Sequence, residues 1–368
     1  MTLSRSAALL RSRVLSATTA AADCGDFRSR VLAAIRTVVP FDGGCLAATD
    51  PATLLPTALT TVGFDSPEAV MLAAASEYGA DPPANSFSSL SRLGTPVRIS
   101  REVGEGAWRH SHHYTDLLAP FGLCDEVRMV FRARDGRAWG MATLSRAPGR
   151  PFDDEAARTL GASLGVIGEG MRRTLLRHSW PEVSPGGGGA PDEEGPAVVV
   201  LRDNVVEDLT PEAARVLQRI GWGGAAPVAL AGLRYRHHGT DSVRVRTHSG
   251  TWVVLRVGEL GDDRLAVTIE RARPPEVVAL MAAVHGLTAR ETEVLAKVLA
   301  GQSRGAIGRD LHISAWTVQD HLKSIYAKTG VNSRQALVAQ LVFDQYLPRI
   351  GTPLGPGGWF VDTPAESR

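Results

Sequence analysis

Four polar side chains toward the C-terminal end are spaced to read a nucleic acid. Thr317, Gln319, Asp320 and Lys323 fall on one side of a helix expected over about residues 315–328, with Lys328 on the same side at its end. Val318, Leu322 and Ile325 fall on the other side, at intervals that bury them in a core. Each polar type suits a base edge. Gln bonds adenine bidentately, Lys suits the acceptors of guanine, and Asp accepts from the cytosine amino group. This is recognition chemistry. No nucleophile elbow, paired-cysteine zinc site or phosphate-binding loop occurs in the chain, so the residues read as no enzyme and imply no cofactor.

The elements that must position these residues are four short helices between 287 and 341. Thr288 can cap the first, and Glu291, three residues on, can reach back to complete a capping box. Gly301 suits a left-handed C-cap. Ser303, Ser314 and Ser333 can each cap the helix that follows. Apolar residues recur at helical spacing within each piece: Val294, Leu295 and Val298; Ile307 and Leu311; Val318, Leu322 and Ile325; Leu337, Val338 and Leu341. Only residues 312–314 join the second and third helices. That is the geometry of a helix-turn-helix, which presents its second helix to the DNA major groove.

The run L-T-x-R-E-x-E-V-L (287–295), then G-x-S (301–303), I-S-x-x-T-V-x-x-H-L-K-x-I (313–325) and K-x-G-V-x-S-R (328–334), resembles the LuxR/GerE family of DNA-binding domains. The resemblance covers about residues 283–348, less than a fifth of the chain. It implies a tetrahelical helix-turn-helix that binds double-stranded DNA as a homodimer. It places Gln319, Asp320 and Lys323 where the family contacts bases, and Ser314, Thr317 and Arg334 where it approaches phosphates. Ala306 departs from the usual Glu. Gly305 and Gly308 each soften the second helix by about 1 kcal/mol relative to Ala. A different use of the same unit is a protein-contact module.

Bulk charge is no guide, since the net charge is +1. Residues 287–346 carry seven Lys/Arg against five Asp/Glu, a net of +2. Affinity then rests on placed contacts and dimerisation rather than on a strong field. Cys24, Cys45 and Cys124 lie far apart and form no C-x-x-C pair, which argues against a disulfide framework and fits a reducing cytoplasm. No apolar run reaches membrane-spanning length. The other dense cluster, residues 108–114, holds His110, His112 and His113. His110, His113 and Tyr114 share a helical face, so metal or haem ligation is conceivable. No acidic or cysteine partner at fixed spacing completes such a site, which favours histidines that are partly solvated or that cap neighbours near a sensor pocket.

The rest of the chain reads as two α+β regions. In the first, two helices broken near 23–26 precede a strand pair, 44–50 and 54–61. A helix at 67–78, a polar loop at 86–95 and a helix at 106–118 follow. Two strands joined by Asp135-Gly136 and one long helix over 152–176 complete it. That long helix carries a stripe, Ala156, Leu160, Leu164, Ile167, Met171 and Leu175, suited to the region's own sheet or to a partner helix. The element order, with G-x-x-W-G-x-x-x-L-x-R at 136–146, resembles a GAF domain of actinobacterial regulators. It implies a central antiparallel sheet and a small-molecule cavity. Residues 184–195, rich in Gly, Pro and acids, read as a flexible linker. Residues 196–273, a strand pair, helices and a three-stranded meander with a turn at Ser249-Gly250, resemble a PAS-like domain.

The expectation is a multidomain cytoplasmic regulator of transcription. It comprises a GAF-like sensor (1–180), a linker (181–195), a PAS-like domain (196–275), an all-α LuxR-type helix-turn-helix (283–348) and a disordered tail (351–368) with isolated Trp359 and Phe360. Its expected partners are double-stranded DNA, a second copy of itself, a small-molecule effector, and RNA polymerase if it activates; no membrane is expected. Candidate dimer surfaces are the stripe over 152–176 and Leu337, Val338, Leu341 and Val342 of the fourth helix.

Overall fold

The computed structural model describes residues 4–63, 67–79, 82, 85–93, 97–99, 104–177, 195–220, 225–247, 252–261, 263–272 and 274–338. The expected tail, the turn at Ser249-Gly250 and Leu341 and Val342 lie outside the described residues, as does the expected linker except for its last residue. Two compact units emerge: one holds both α+β regions, and the other holds the C-terminal helices.

The first region opens with α1 (Arg5–Ala20) and α2 (Cys24–Val38). Asp23 caps α2 by accepting from the Asp26 amide at 2.7 Å. Next come β1 (Gly43–Thr49), β2 (Pro56–Val62), α3 (Pro67–Tyr78), α4 (Phe87–Leu93), β3 (Val97–Ile99) and the short α5 (Glu105–Arg109). A single π-helical turn, His113–Leu118, leads to β4 (Asp125–Arg132) and β5 (Ala138–Arg146), and α6 (Asp154–Gly161) and α7 (Leu164–Arg177) close the region. Its antiparallel sheet has the order β2-β1-β5-β4-β3.

Three expectations change here. The polar loop at 86–95 is largely helix: Ser86 accepts from the Ser89 amide, while Phe87 and Leu90 bury on one side of α4. The helix expected at 106–118 is interrupted at residues 110 and 111. The single helix over 152–176 is two, broken at Ala162 and Ser163, where Gly and Ser weaken helical propensity. Ala156, Leu160, Leu164, Ile167, Met171 and Leu175 are all buried within the chain, against α1, α2, β4 and β5. The stripe is therefore spent internally and offers no dimer surface. Glycine lets α7 approach the sheet, since a Cβ on Gly168 would sit 2.5 Å from the Arg132 carbonyl.

The second region comprises β6 (Val198–Arg202), β7 (Val205–Leu209), α8 (Pro211–Arg219), α9 (Ala226–His238), β8 (Ser242–Arg246), β9 (Trp252–Glu259) and β10 (Arg264–Arg271). Asp203 and Asn204, with φ of 51° and 62°, form the two-residue turn that matches strand twist. The sheet order β7-β6-β10-β9-β8 repeats, strand for strand, that of the first sheet. The two regions share side chains: Leu55, Ala74 and Tyr78 belong to the apolar core built around Val199, Leu230 and Val267. Arg244 meets the buried Asp50 at 2.6 Å, with side chains 16% and 1% exposed.

The C-terminal unit contains α10 (Pro274–Val284), α11 (Ala289–Leu299), α12 (Arg304–Asp310), α13 (Ala315–Thr329) and α14 (Arg334–Val338). Helix α10 was not expected; its Val278 and Ala282 enter the same core as Val294, Leu295, Ile307, Val318, Leu322, Ile325 and Leu337. Leu337 is fully buried, so it belongs to this core and not to an exposed dimer face.

Candidate functional site

Helix α13 is held by caps and by one buried carboxylate. Ser314 accepts from the Thr317 amide at 3.0 Å, and Gly330, at φ 75°, closes the other end. The turn before it is tight. His312 adopts a φ of 54°, and a Cβ on Gly308 would lie 2.7 Å from the Ile313 carbonyl. Gly308 thus allows α12 and the turn to touch, which offsets its poor helical propensity.

The capping box forms as expected. The Glu291 amide donates to Thr288 Oγ1 at 3.2 Å, and the Thr288 amide donates to Glu291 Oε2 at 2.7 Å. The same carboxylate also ties α11 to α13, accepting from Ser324 Oγ at 2.6 Å and from Lys328 Nζ at 2.7 and 2.9 Å. Burial raises its pKa, but the hydrogen bonds from Lys328, Ser324 and Thr288 prevail and hold it at about 2. Lys328 is therefore a clamp inside the domain, not part of the reading face.

Thr317, Asp320 and Lys323 are exposed and Gln319 is half-buried, opposite the core-facing Val318, Leu322 and Ile325. Arg304 of α12 donates to Gln319 Oε1 at 2.7 Å, which orients that amide. Lys323 Nζ lies 3.7 Å from Asp320 Oδ1 and 5.9 Å above the Trp316 ring. The Ser314 hydroxyl is exposed but engaged in its cap. Arg334 stands apart from this row; its guanidinium donates to the Val298 carbonyl at 3.1 Å, near the end of α11. Sequence reasoning passed over Trp316, which is 75% exposed beside the reading row. An aromatic that breaks the polar pattern at the first turn of α13 was the available signal. Arg304 carried no such signal, because its role depends on where α12 lies.

Residues 285–341 match the family of bacterial regulatory proteins of the luxR type, GerE. These residues are a LuxR-family helix-turn-helix domain. A stretch of 61 residues is 41% identical to a probable transcriptional regulatory protein NarL of Mycobacterium tuberculosis, covering 17% of this chain and 28% of that protein. A stretch of 54 residues is 46% identical to the monoamine regulon transcriptional regulator of Klebsiella aerogenes, covering 15% and 24%. The chain thus spans about a quarter of the length of these relatives. Among solved structures, Escherichia coli SdiA aligns over 90% of this chain and 94% of its own, at 14% identity and a TM-score of 0.34, too low to carry an argument.

The histidine cluster separates in the fold. His110 Nδ1 meets the Gly106 carbonyl, and the exposed His112 pairs with Asp116. His113 alone turns inward, with Nε2 2.9 Å from Glu126 Oε2 and Nδ1 2.7 Å from Ser76 Oγ. Arg128 joins it. Its Nε donates to Glu126 at 2.6 Å, one terminal nitrogen donates to Glu77 at 2.8 Å and to the Asn85 carbonyl at 3.3 Å, and the other faces the His113 ring. Burial raises the carboxyl of Glu126, yet the charges of Arg128 and His113 bring it to about 2. At Glu77 burial wins and the carboxyl is raised. These groups line a cavity of about 100 Å³ between the sheet, α3, α4 and the π-helical turn, and Leu230 of α9 completes its wall. Among the described residues, no group of three or more His, Cys, Asp or Glu could hold a metal.

Proposed function

We propose that this protein is a DNA-binding transcription regulator that acts as a homodimer, with 283–348 as its output and the α+β unit (1–180 with 196–275) as the receiver of a small-molecule signal. The observation that carries the reading is the exposed polar row on α13, set opposite a fully packed core on the second helix of a helix-turn-helix. In this reading Gln319, Asp320 and Lys323 meet base edges, and Ser314, Thr317 and Arg334 approach phosphates. Binding of an effector shifts the population between two dimer arrangements and so sets the spacing of the two reading helices. Half-sites would lie about one helical turn apart, roughly 10 bp. The regulators of transcription that share the LuxR-family domain support the reading, and they support regulation over catalysis. Genome-wide mapping of bound sites, followed by titration of the recovered sequence against salt, tests it. Steep loss of affinity with salt and a clear preference over bulk competitor DNA are expected. Equal affinity for the recovered sequence and for bulk competitor would refute it.

A further inference from the structure

We propose that the cavity between the two α+β regions binds a compact, uncharged, mostly apolar molecule, with the Tyr78 hydroxyl as its hydrogen-bond partner. The proposal rests on reading the α+β unit as the receiver of the signal, and it names the class of molecule received. Size sets the first limit. An apolar cavity of about 150 Å³ takes benzene, so about 100 Å³ suits a molecule of roughly four to six heavy atoms.

The walls set the second limit. Leu59, Phe87, Leu117 and Met141 supply apolar surface. Glu77, Glu126 and Arg128 also line the space, but their charges are committed to one another. Each side-chain nitrogen of Arg128 already faces Glu126, Glu77 or His113. An anionic ligand would meet the two carboxylates, to which Nε and one terminal nitrogen of Arg128 are already given. A cationic ligand would lose its hydration to a mostly apolar wall while both carboxylates are already paired.

Tyr78 supplies the polar contact. It is 7% exposed and lines the cavity, and its buried hydroxyl has no hydrogen-bond partner among the described residues. Such groups are normally satisfied, so an orphan on a residue that lines a cavity points to a missing acceptor or donor. Tyr78 also belongs to the core of the second region, with the Arg234 guanidinium 5.7 Å from its ring, and Leu230 of that region closes the cavity. The site is incomplete without both regions, and its occupant presses on the joint between them.

The test uses the purified full-length protein without DNA, by calorimetry and thermal unfolding, with cyclopentane, cyclopentanol, butyrate and cyclopentylamine as probes, all of about five or six heavy atoms. Cyclopentanol is expected to bind saturably at one molecule per chain and to raise Tm. Cyclopentane should bind more weakly, and the two charged probes should not bind. Tyr78→Phe, which removes only the orphan oxygen, should weaken cyclopentanol about five- to tenfold and leave cyclopentane within about twofold. Absence of saturable binding by both cyclopentane and cyclopentanol overturns the site. Binding of butyrate or cyclopentylamine as tight as that of cyclopentanol overturns the ligand class. Unchanged cyclopentanol affinity in Tyr78→Phe overturns the role of the hydroxyl. Because no DNA is present, failure of the DNA-binding reading leaves these results standing, and their failure leaves DNA binding untouched.

Discussion

Glu291→Gln should uncouple α11 from α13 in a way that depends on pH. The native carboxylate accepts from Thr288, Ser324 and Lys328, and its side chain is 5% exposed. Its pKa falls from the ordinary 4.5 to about 2. A depressed pKa means that the folded state favours the charged form. The stabilisation is therefore complete above about pH 4.5 and disappears as pH falls toward 2. At about 1.4 kcal/mol per unit, the charge contributes about 3 kcal/mol at neutral pH and about 1.4 kcal/mol at pH 3. Glutamine keeps the size and one acceptor but loses the charge, leaving Lys328 unpaired. Hydrogen exchange of α11 and α13 amides in the full chain reads this local opening. The gap between native protein and variant should be near 3 kcal/mol at pH 7 and should shrink by about half at pH 3. A gap of equal size at both values would refute the assignment to charge and leave only packing.

Four further outcomes are expected. Tyr78→Phe should raise the unfolding free energy by about 1 kcal/mol, because it removes a buried unsatisfied hydroxyl; chemical denaturation measures it. Arg244→Met should destabilise by about 3 kcal/mol or more, because it strands the buried Asp50 carboxylate, and a denaturation curve that splits into two steps would mark the loss of coupling between the α+β regions. Lys323→Ala should weaken binding to the recovered sequence by about 1–3 kcal/mol and relax the preference at one base position, while bulk competitor DNA changes little, read from affinities titrated across single-base variants of the site. Trp316→Ala should leave stability within about 0.5 kcal/mol, since the ring is exposed, while reducing DNA affinity in the same titration.

The helix-turn-helix was legible because its signals are local. Caps at Thr288, Ser303 and Ser314 and apolar spacing within each helix specify it without distant partners. The strand pairs were legible for the same reason, as Asp203-Asn204 and Asp135-Gly136 carry their own turn chemistry. The cavity was not. In β4 the alternation of Glu126 and Arg128 with Val127 and Met129 looks like a wet face and a dry one. Both faces are in fact covered, and the charges satisfy one another and Glu77, which lies 51 residues from Arg128. Period alone cannot reveal such a partner. The break between α6 and α7 was hidden because both helices bury their apolar side, so the spacing of four and three runs through it. Trp316 was legible as an aromatic that breaks the polar pattern of α13, whereas Arg304 was hidden by its dependence on where α12 lies.

The repeated sheet order bears on how the chain is made. In each sheet the first strand pairs with the last, so the centre cannot form until the final hairpin has left the ribosome. For the first sheet that means some 100 residues between Gly43 and Arg146; for the second, about 70 between Val198 and Arg271. Until then β1 and β6 each hold only a hairpin partner and leave one edge bare. Slow translation before residue 146 would prolong that exposure and favour misfolding, whereas the C-terminal helices, built from near neighbours, fold as soon as they emerge.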